Sequence, residues 1–572
     1  MPKRRASLRP RPAAAHRIHA DQGNGPIRNH RHLEGFDPPL HTSQHNQAPD
    51  AAHPSLGRKS GLGIVAALVL VVAPQAPLGA LTFGMAPNFD ATGVLGFPLI
   101  FAVVGAILLT FGVAASAMAK QVAHPGGLYA YVSSGLGRRA GLGAALVGLV
   151  GYSAMPVTFF VPIGDQASRL LAKHTGLTVP WWVAVIPVVL AVGLLGTWSM
   201  RRIISMLGVL LGVQLFMIVA FDVAALLKPG PEGITAAAFD PSSLLSGGVS
   251  AALAFVLVAF VGFETIASYT GELRQSSPSP GRIAYLGVAM TAALYAFSCW
   301  ALTVAAGPSH TVELAHSMRI AMVPSLVEKR LGSTASTLYS SLVLVSIFGA
   351  ALAFHNVAAR YLRALAKDGV LPRALASGKA PTGAPAAASA VQAGVSLALI
   401  LITGLAGADP TATLFLWMSD IGALGICFVL VLASLAIVAF FLRSDSEESG
   451  FMGWEGPVVA GSLSAVTLTL IVIVALTQFD VRLGVPRDSP LGYLPPMLLA
   501  VVFTAGVVWA SVLRSARPLI FARIGYSPPG QSTQFRARAV AVRPDSQPRH
   551  GSAEPEPLTT AGPWQEYGSS RH

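Results

Sequence analysis

The sequence is poor in charged residues and in cysteine. Charged side chains make up 11% of its 572 residues, less than half of the roughly 25% that soluble domains carry. Apolar residues make up 53%, and a soluble chain of this size could not bury that much apolar surface, so a soluble domain is excluded. Cys299 and Cys427 both lie in apolar runs, which excludes a disulfide scaffold and a cysteine-based metal site.

Signatures of enzymes are also missing. The sequence contains no Gly-rich phosphate loop, no HExxH pair and no nucleophile elbow. Seven of the fourteen histidines lie in residues 1–60, but their spacings match no coordination motif. We therefore expect no catalytic residue, no cofactor and no metal site.

Positive charge is concentrated in the two tails. Of the net charge of +13, residues 1–60 and 514–572 together carry +10, so a basic globular domain is excluded and no nucleic-acid partner is expected. Both tails are rich in Pro and in polar residues such as Arg, and their apolar residues show no periodic pattern. They are predicted to be disordered, and the N-terminal tail has no secretory signal pattern.

Between the tails, long apolar runs recur with short polar breaks. About 20 apolar residues are needed for one membrane-spanning helix. The runs predict twelve such helices, near residues 62–86, 94–119, 140–163, 181–198, 204–227, 248–271, 283–306, 335–358, 387–407, 411–441, 457–477 and 491–513. We expect a core over residues 61–443 with ten helices, followed by two further helices in residues 444–513.

The loops differ in their content of Lys and Arg. With the N-terminus placed in the cytoplasm, the inner loops and flanks hold eighteen basic residues and the outer loops hold eight. Loops rich in Lys and Arg stay on the cytoplasmic side. The sequence thus predicts a multi-pass protein of the cytoplasmic membrane, surrounded by lipid, with both termini in the cytoplasm.

Two of the predicted helices contain residues that do not suit a lipid environment. In the first, Pro74 and Pro77 remove main-chain donors at mid-membrane and Gln75 adds a polar amide. In the sixth, Glu264 lies deep in an apolar run, two residues after Gly262, and a charge there costs about 2.5–3.5 kcal/mol. A proline kink and a structural carboxyl are the alternatives. Paired interruptions in the two halves of a chain favour a binding site.

Several stretches resemble the amino acid–polyamine–organocation transporter superfamily, in particular its bacterial amino acid permeases. They are Ala-Pro-Leu-Gly (76–79), Phe-Val-Gly-Phe-Glu followed by Gly-Glu-Leu-Arg (260–264 and 271–274), the run from Ala353 to Pro372, and Pro-Gly-Gly-Leu-Tyr-Ala-Tyr (125–131). The resemblance implies an all-α membrane protein with two inverted five-helix repeats. These repeats correspond to about 61–228 and 247–443, with two extra helices appended.

The resemblance also implies that an amino acid binds between the broken helices 1 and 6. The N–H groups that follow the first break suit a substrate carboxylate. Freed carbonyls and a carboxylate at the second break suit an ammonium group, with phenylalanine rings as an apolar or cation–π wall. The predicted substrate-binding residues are Ala76, Pro77, Leu78, Gly79, Phe260, Val261, Gly262, Phe263 and Glu264.

The coupling ion is left open by the sequence. Sodium-coupled relatives use helix-8 hydroxyls, of which Ser346 is the candidate here, and some proton-coupled relatives carry a Lys where this chain has Gln214. Proton symport with a contribution from Glu264, or exchange, is the preferred hypothesis. Glu272 and Arg274 are candidates for a gate at the inner end of helix 6.

Other buried polar residues are interpreted as structural. Asp222 near the end of helix 5 and Asp420 in helix 10 are read as packing or capping residues, and His355 as a packing residue of an inner gate. Tyr152 in helix 3 fits a cavity lining, a lipid-facing position or the core.

The function predicted from these features is secondary active transport of amino acids or related amines. A transporter-like membrane sensor is the alternative, followed by a channel, which lacks support because no charged ring or filter repeat is visible. The sequence does not identify the substrate or the oligomeric state.

Overall fold

The fold is a bundle of long helices. The computed structural model describes residues 62–122, 124–273, 277–376, 385–443, 455–477 and 489–526. Within these ranges the chain is all-α, and Leu62 and Leu273 form an isolated parallel bridge. The tail of residues 1–60 and most of the tail of residues 514–572 lie outside the described residues.

Membrane-length helices make up most of the described chain. Eleven are long and apolar enough to cross a bilayer, and a twelfth, Trp181–Leu195, is shorter. In chain order they are α1 (Ile64–Thr92), α2 (Phe97–Gln121), α3 (Arg138–Thr175), α4 (Trp181–Leu195), α5 (Met200–Leu227), α6 (Val249–Thr270), α7 (Pro280–Ala306), α8 (Ser333–Asp368), α9 (Ala386–Leu405), α10 (Thr411–Arg443), α11 (Glu455–Thr477) and α12 (Leu491–Ala516).

Two helices are longer than their apolar runs. Helix α3 continues from the predicted end at residue 163 to Thr175, and α8 continues to Asp368. Polar residues end a membrane span, but they do not end a helix that emerges into water. Both helices instead end at a glycine in the left-handed region, Gly176 with φ 73° and Gly369 with φ 87°, which is a common way to end a helix.

The two halves of the bundle pack through corresponding helices. Helix α2 packs against α7, α3 against α8 and α4 against α9. Each pair joins helices at the same position in α1–α5 and α6–α10, the two five-helix segments in which the sequence predicts inverted repeats. Helix α11 packs on α10 and α2, and α12 packs on α3. These last two helices are therefore peripheral additions to the ten-helix core.

Chain direction defines two faces of the bundle. The near face is the end at which α1 begins, where Leu62 pairs with Leu273 after α6. The far face is the opposite end, where α1 finishes at Thr92. Because the helices alternate in direction, α5 and α7 end at the far face, whereas α8 begins there and ends at the near face.

Candidate functional site

Helix α1 is interrupted at Ala76. An α-helical segment, Ile64–Val72, is followed by a 3-10 turn, Ala73–Gln75, and the helix resumes at Pro77. Ala76 itself is left-handed, with φ 45° and ψ 67°. A proline disfavours the right-handed helical conformation in the residue before it, and a non-glycine residue in this conformation costs about 1–3 kcal/mol. The left-handed conformation of Ala76 makes this a true break rather than a kink.

Helix α6 is interrupted at Val261 and Gly262. Its α-helical part, Val249–Phe260, gives way to extended backbone at Val261 and then to a 3-10 segment, Phe263–Glu272. Gly262 has φ 120°, a conformation that is essentially restricted to glycine. A Cβ atom on Gly262 would lie 2.7 Å from Cβ of Pro74. The two breaks are thus in direct contact.

Side chains replace the main-chain hydrogen bonds that the break in α1 removes. Tyr295 donates from its hydroxyl to the carbonyl of Gln75 over 3.1 Å. The Thr265 hydroxyl donates to the carbonyl of Gly262 over 2.7 Å and also lies 3.2 Å from the carbonyl oxygen of Leu70. The Gln75 side chain donates from Nε2 to the carbonyl of Val71 over 2.9 Å. Its Oε1 is buried and has no hydrogen-bond partner among the described residues. The break therefore leaves one buried side-chain acceptor without a hydrogen bond among the described residues.

Glu264 lies at the start of the 3-10 segment and is 2% exposed. Its Oε2 accepts a hydrogen bond from the N–H of Gly262 over 2.8 Å, and its Oε1 accepts one from the Tyr152 hydroxyl of α3 over 3.1 Å. Among the described residues no ion pair includes this carboxyl group. Two neutral donors orient the carboxyl group without neutralising it, so the site can hold either an anion or a proton.

The phenylalanine rings beside the second break face α2. Phe260 lies 6.0 Å from Phe101, and Phe263 lies 5.9 Å from Phe111, measured between ring centroids. Both phenylalanines of α6 are fully buried in these contacts. In this conformation the two rings pack against α2, on one side of the break.

Other aromatic rings line the side of the break that faces α3 and α8. Tyr152 stacks on Phe354 with centroids 6.5 Å apart and lies 4.9 Å from Tyr361. Phe354 Cζ would lie 3.5 Å from a Cβ atom on Gly262. The sequence analysis singled out neither Phe354 nor Tyr361. Their spacing of seven residues on α8 is two helical turns, which puts them on one face.

A second polar cluster joins three helices next to the first break. Ser346 of α8 donates from Oγ to Oε1 of Gln214 in α5 over 2.6 Å and accepts the N–H of Gly79 in α1 over 3.4 Å. Gln214 and Ser346 are both buried. The two candidate coupling residues and one candidate binding residue therefore meet. Gly79 itself has no room for a Cβ atom, which would lie 2.8 Å from Ile347 Cγ2.

Of the two candidate gate residues, Glu272 lies toward the near face. Glu272 ends the 3-10 segment of α6, and Arg274 lies outside the described residues. Nearby, Ser277 donates from Oγ to the carbonyl of Leu62 over 2.8 Å. The near-face ends of α1 and α6 are thereby joined, and a gating role for Glu272 and Arg274 stays a prediction.

Comparison with known protein families decides the class of the protein. The model of the family described as amino acid permease matches residues 62–506, which is most of the chain. The chain belongs to the amino acid permease family. The predicted superfamily is thus confirmed, and no curated protein matches the chain.

Membership of the permease family has direct consequences. The family is one of transporters rather than enzymes, and the match runs from the start of α1 into α12. Together with the eleven membrane-length helices, it makes the chain a multi-pass membrane transporter for a small-molecule substrate. In this permease, the contacting breaks of α1 and α6 are the candidate binding site.

Proposed function

We propose that this permease moves an amino acid or a related amine across the cytoplasmic membrane by alternating access. The observation that carries the proposal is the contact between the two broken helices at Pro74 and Gly262. Lipid and apolar side chains offer no hydrogen-bond partners, so irregular backbone at membrane depth is tolerated only where it is buried in protein or lines a cavity. A polar substrate could form hydrogen bonds with the main-chain N–H and C=O groups that the two breaks leave outside regular helix.

A zwitterion fits the polarity of the two breaks. The second part of α1 begins at Pro77 and Leu78, where the helix dipole favours an anion such as a carboxylate. The N–H of Gly79 donates to Ser346 Oγ in this conformation. The carbonyls of Phe260 and Val261 end the first part of α6, where the dipole favours an ammonium group. Tyr152 and Phe354 supply an aromatic boundary on the other side.

The same proposal places the near face in the cytoplasm. The predicted inner loops and flanks hold eighteen Lys and Arg residues against eight in the outer loops, and this asymmetry normally marks the cytoplasmic side. Both tails are then cytoplasmic, and substrate enters from the far face during uptake.

Glu264 is the proposed carrier of a coupling proton, with exchange as the second mode. Its two hydrogen-bond donors are neutral and remain available whether the carboxyl group is ionised or protonated. A proton moving inward with a neutral substrate gains about 2.3 kcal/mol per 100 mV of membrane potential, which drives accumulation.

Reconstitution into liposomes tests the proposal with Glu264→Gln. The Gln carbonyl still accepts the N–H of Gly262, so the break is preserved, but the side chain can no longer bind a proton. We expect proton-driven accumulation of a labelled amino acid or amine to be lost, while exchange against internal unlabelled substrate persists.

The matched control is Glu455→Gln, which changes an exposed glutamate in the first turn of α11 and should leave accumulation intact. Proton-driven accumulation that is unaffected in Glu264→Gln would remove Glu264 from the mechanism. Absence of saturable uptake under proton, sodium and exchange conditions, in folded protein, would contradict carrier function itself.

The Gln214–Ser346 cluster leads to a prediction about sodium. Ser346 uses its hydroxyl proton on Gln214, and neither side chain is anionic, so the cluster is a poor cage for a hard cation, which prefers carboxylate and free carbonyl oxygens. We expect uptake to be unchanged when sodium is replaced by choline. A loss of uptake in choline would show that sodium is the coupling ion instead.

A further inference from the structure

A second buried carboxyl group lies in the far half of α5, outside the predicted substrate-binding residues. Asp222 is 1% exposed, and its Oδ2 accepts a hydrogen bond from the Ser298 hydroxyl of α7 over 2.7 Å. Its Oδ1 is buried and has no hydrogen-bond partner among the described residues. Glu264 accepts hydrogen bonds from a main-chain N–H and from a tyrosine hydroxyl, whereas Asp222 accepts one hydrogen bond, from a serine hydroxyl.

The surroundings of Asp222 contain no charge that would compensate an anion. The titratable side chains that face it are Cys299 of α7 and Tyr339 of α8, both fully buried. From α1 the nearest contribution to this region is the uncharged Thr82, which bonds Tyr339. None of the ion pairs among the described residues includes Asp222.

The cations near the far end of α5 are engaged elsewhere. Lys228, just after α5, donates from Nζ to the carbonyl of Arg330 over 3.4 Å, and Arg330 donates from Nε to the carbonyl of Lys228 over 3.2 Å. Arg330, on the helix Met322–Leu331 that packs against α5, also donates to the carbonyl of Ala305. Both charges are thus directed at main-chain oxygens.

An uncharged carboxylic acid suits this environment better than a carboxylate. A proton on Oδ2 would be donated to Ser298 Oγ, and Oδ1 would then be a neutral carbonyl oxygen. Burial of a neutral acceptor without a donor costs much less than burial of an anionic oxygen. The packing around Asp222 is therefore that of the protonated side chain.

Two side-chain hydrogen bonds join pairs of helices in the far half. Asp222 joins α5 to α7, and Tyr339 joins α8 to Thr82 in the second part of α1 over 2.9 Å. Thr82 already donates to the carbonyl of Leu78, so Tyr339 donates to Thr82 and offers no proton to Asp222. Opening of the far face between α1/α7 and α5/α8 would break both bonds and admit water to Asp222.

We propose that Asp222 is a proton-binding site of the far half: a proton taken up from the solution at the far face holds α5 against α7, and its release accompanies opening of that face. The proposal rests on the alternating-access function proposed above. The proton is bound as the far face closes and is released from Oδ2 to water when Ser298 moves away. Substrate entry and proton binding at the far face are thereby coupled at a site separate from Glu264.

Infrared spectroscopy of the whole protein in lipid tests whether Asp222 carries a proton. A protonated carboxyl group has a C=O stretching band that a carboxylate lacks. We expect such a band near neutral pH that is lost in Asp222→Asn, retained in Glu264→Gln, and shifted to higher frequency in Ser298→Ala, which lacks the hydrogen bond. A spectrum in which Asp222→Asn removes no acid band would overturn the proposal.

Hydrogen–deuterium exchange tests whether that proton holds the far face closed. The quantity to measure is the exchange rate of wild type divided by that of Asp222→Asn, on peptides from the far half of α7. The division cancels the intrinsic pH dependence of amide exchange. We expect the ratio to rise with pH by up to about tenfold per unit, because opening releases one proton. Asp165→Asn is the matched control, since Asp165 is a half-exposed carboxylate paired with Arg169 in α3, and it should behave like the wild type.

The outcomes separate this proposal from the transport function. A constant ratio across pH would overturn the gating role even if the acid band is present. Should Asp222→Asn not fold, Ser298→Ala provides the test: it should raise exchange in α7 at every pH and shift the acid band, and unchanged values would overturn the proposal. Wild-type protein without uptake, but with the expected band and ratio, would refute the transport function and support the proton site.

Discussion

At the scale of single residues, two unusual backbone conformations build the candidate site. Ala76 adopts φ 45° directly before Pro77, which disfavours a right-handed helical conformation there, and Gly262 adopts φ 120°. Gly262 has a second constraint, since Pro74 occupies the space of a Cβ atom. This second constraint arises from the contact between the two broken helices.

Gly262→Ala should therefore disrupt the site. The strained conformation alone costs about 1–3 kcal/mol, and the contact with Pro74 adds to it, so we expect a lower unfolding temperature in detergent and a loss of uptake. Gly212→Ala is the control, because Gly212 lies in α5 and a Cβ atom added there would have no neighbouring atom within 4 Å, so this variant should be neutral or slightly stabilising. Equal stability of the two variants would show that the breaks do not touch.

At the scale of helices, a carboxyl group joins three parts of the chain at the near face. Asp368, the last residue of α8, accepts hydrogen bonds on Oδ2 from the Tyr129 hydroxyl over 2.9 Å and from the N–H of Gly525 over 3.1 Å. Its Oδ1 lies 3.4 Å from His124 Nε2. His124 accepts the N–H of Gly126 on Nδ1, so a neutral ring carries its proton on Nε2, facing Asp368. The end of α8, the α2–α3 link and the segment after α12 are thus held together.

Asp368→Asn should loosen this near-face connection. The amide group has one acceptor oxygen instead of two, and its N–H donors would face groups that themselves donate to Asp368. A buried polar group left without a partner costs about 1–3 kcal/mol. We expect a lower unfolding temperature and faster proteolysis after α12, at residues 517–526. Asp165→Asn, at an exposed ion pair, should change stability by less than about 1 kcal/mol. Similar effects of both variants would mean that Asp368 contributes no more than a surface carboxylate.

At the scale of the whole molecule, the family match and the tails occupy different parts of the chain. The match covers residues 62–506, and most of the excess positive charge lies in residues 1–60 and 514–572. The site, its supporting hydrogen bonds and the near-face connection all lie within residues 62–526. Transport should therefore be a property of the helical region.

Deletion of residues 1–58 and 527–572 should leave uptake into liposomes unchanged, because no group of the proposed site is removed. The measurement compares initial uptake rates at equal amounts of folded protein. An intact fold without uptake in the deleted protein would instead indicate that the tails take part in function, as in a transporter-like sensor.

Local chemistry made much of the fold predictable. Apolar length determined the positions of the twelve helices, since a bilayer needs about 20 apolar residues per span. Pro74, Pro77 and Gly262 determined the breaks, because proline and glycine act on the backbone within a few residues of themselves. Helix ends such as Thr175 of α3 were predicted too early, because hydropathy reports where the membrane ends and not where the helix does.

The sequence by itself determined that the chain is a membrane transporter with two broken helices; tertiary structure alone decided which side chains meet at the breaks. Phe260 turns toward α2, Tyr152 reaches Glu264, and Ser346 bonds Gly79 across 267 residues. In a soluble helix, apolar periodicity shows which face is buried. In a membrane helix the lipid-facing and bundle-facing sides are both apolar, so the rotation of each helix, and with it every contact across the site, is set by packing between helices.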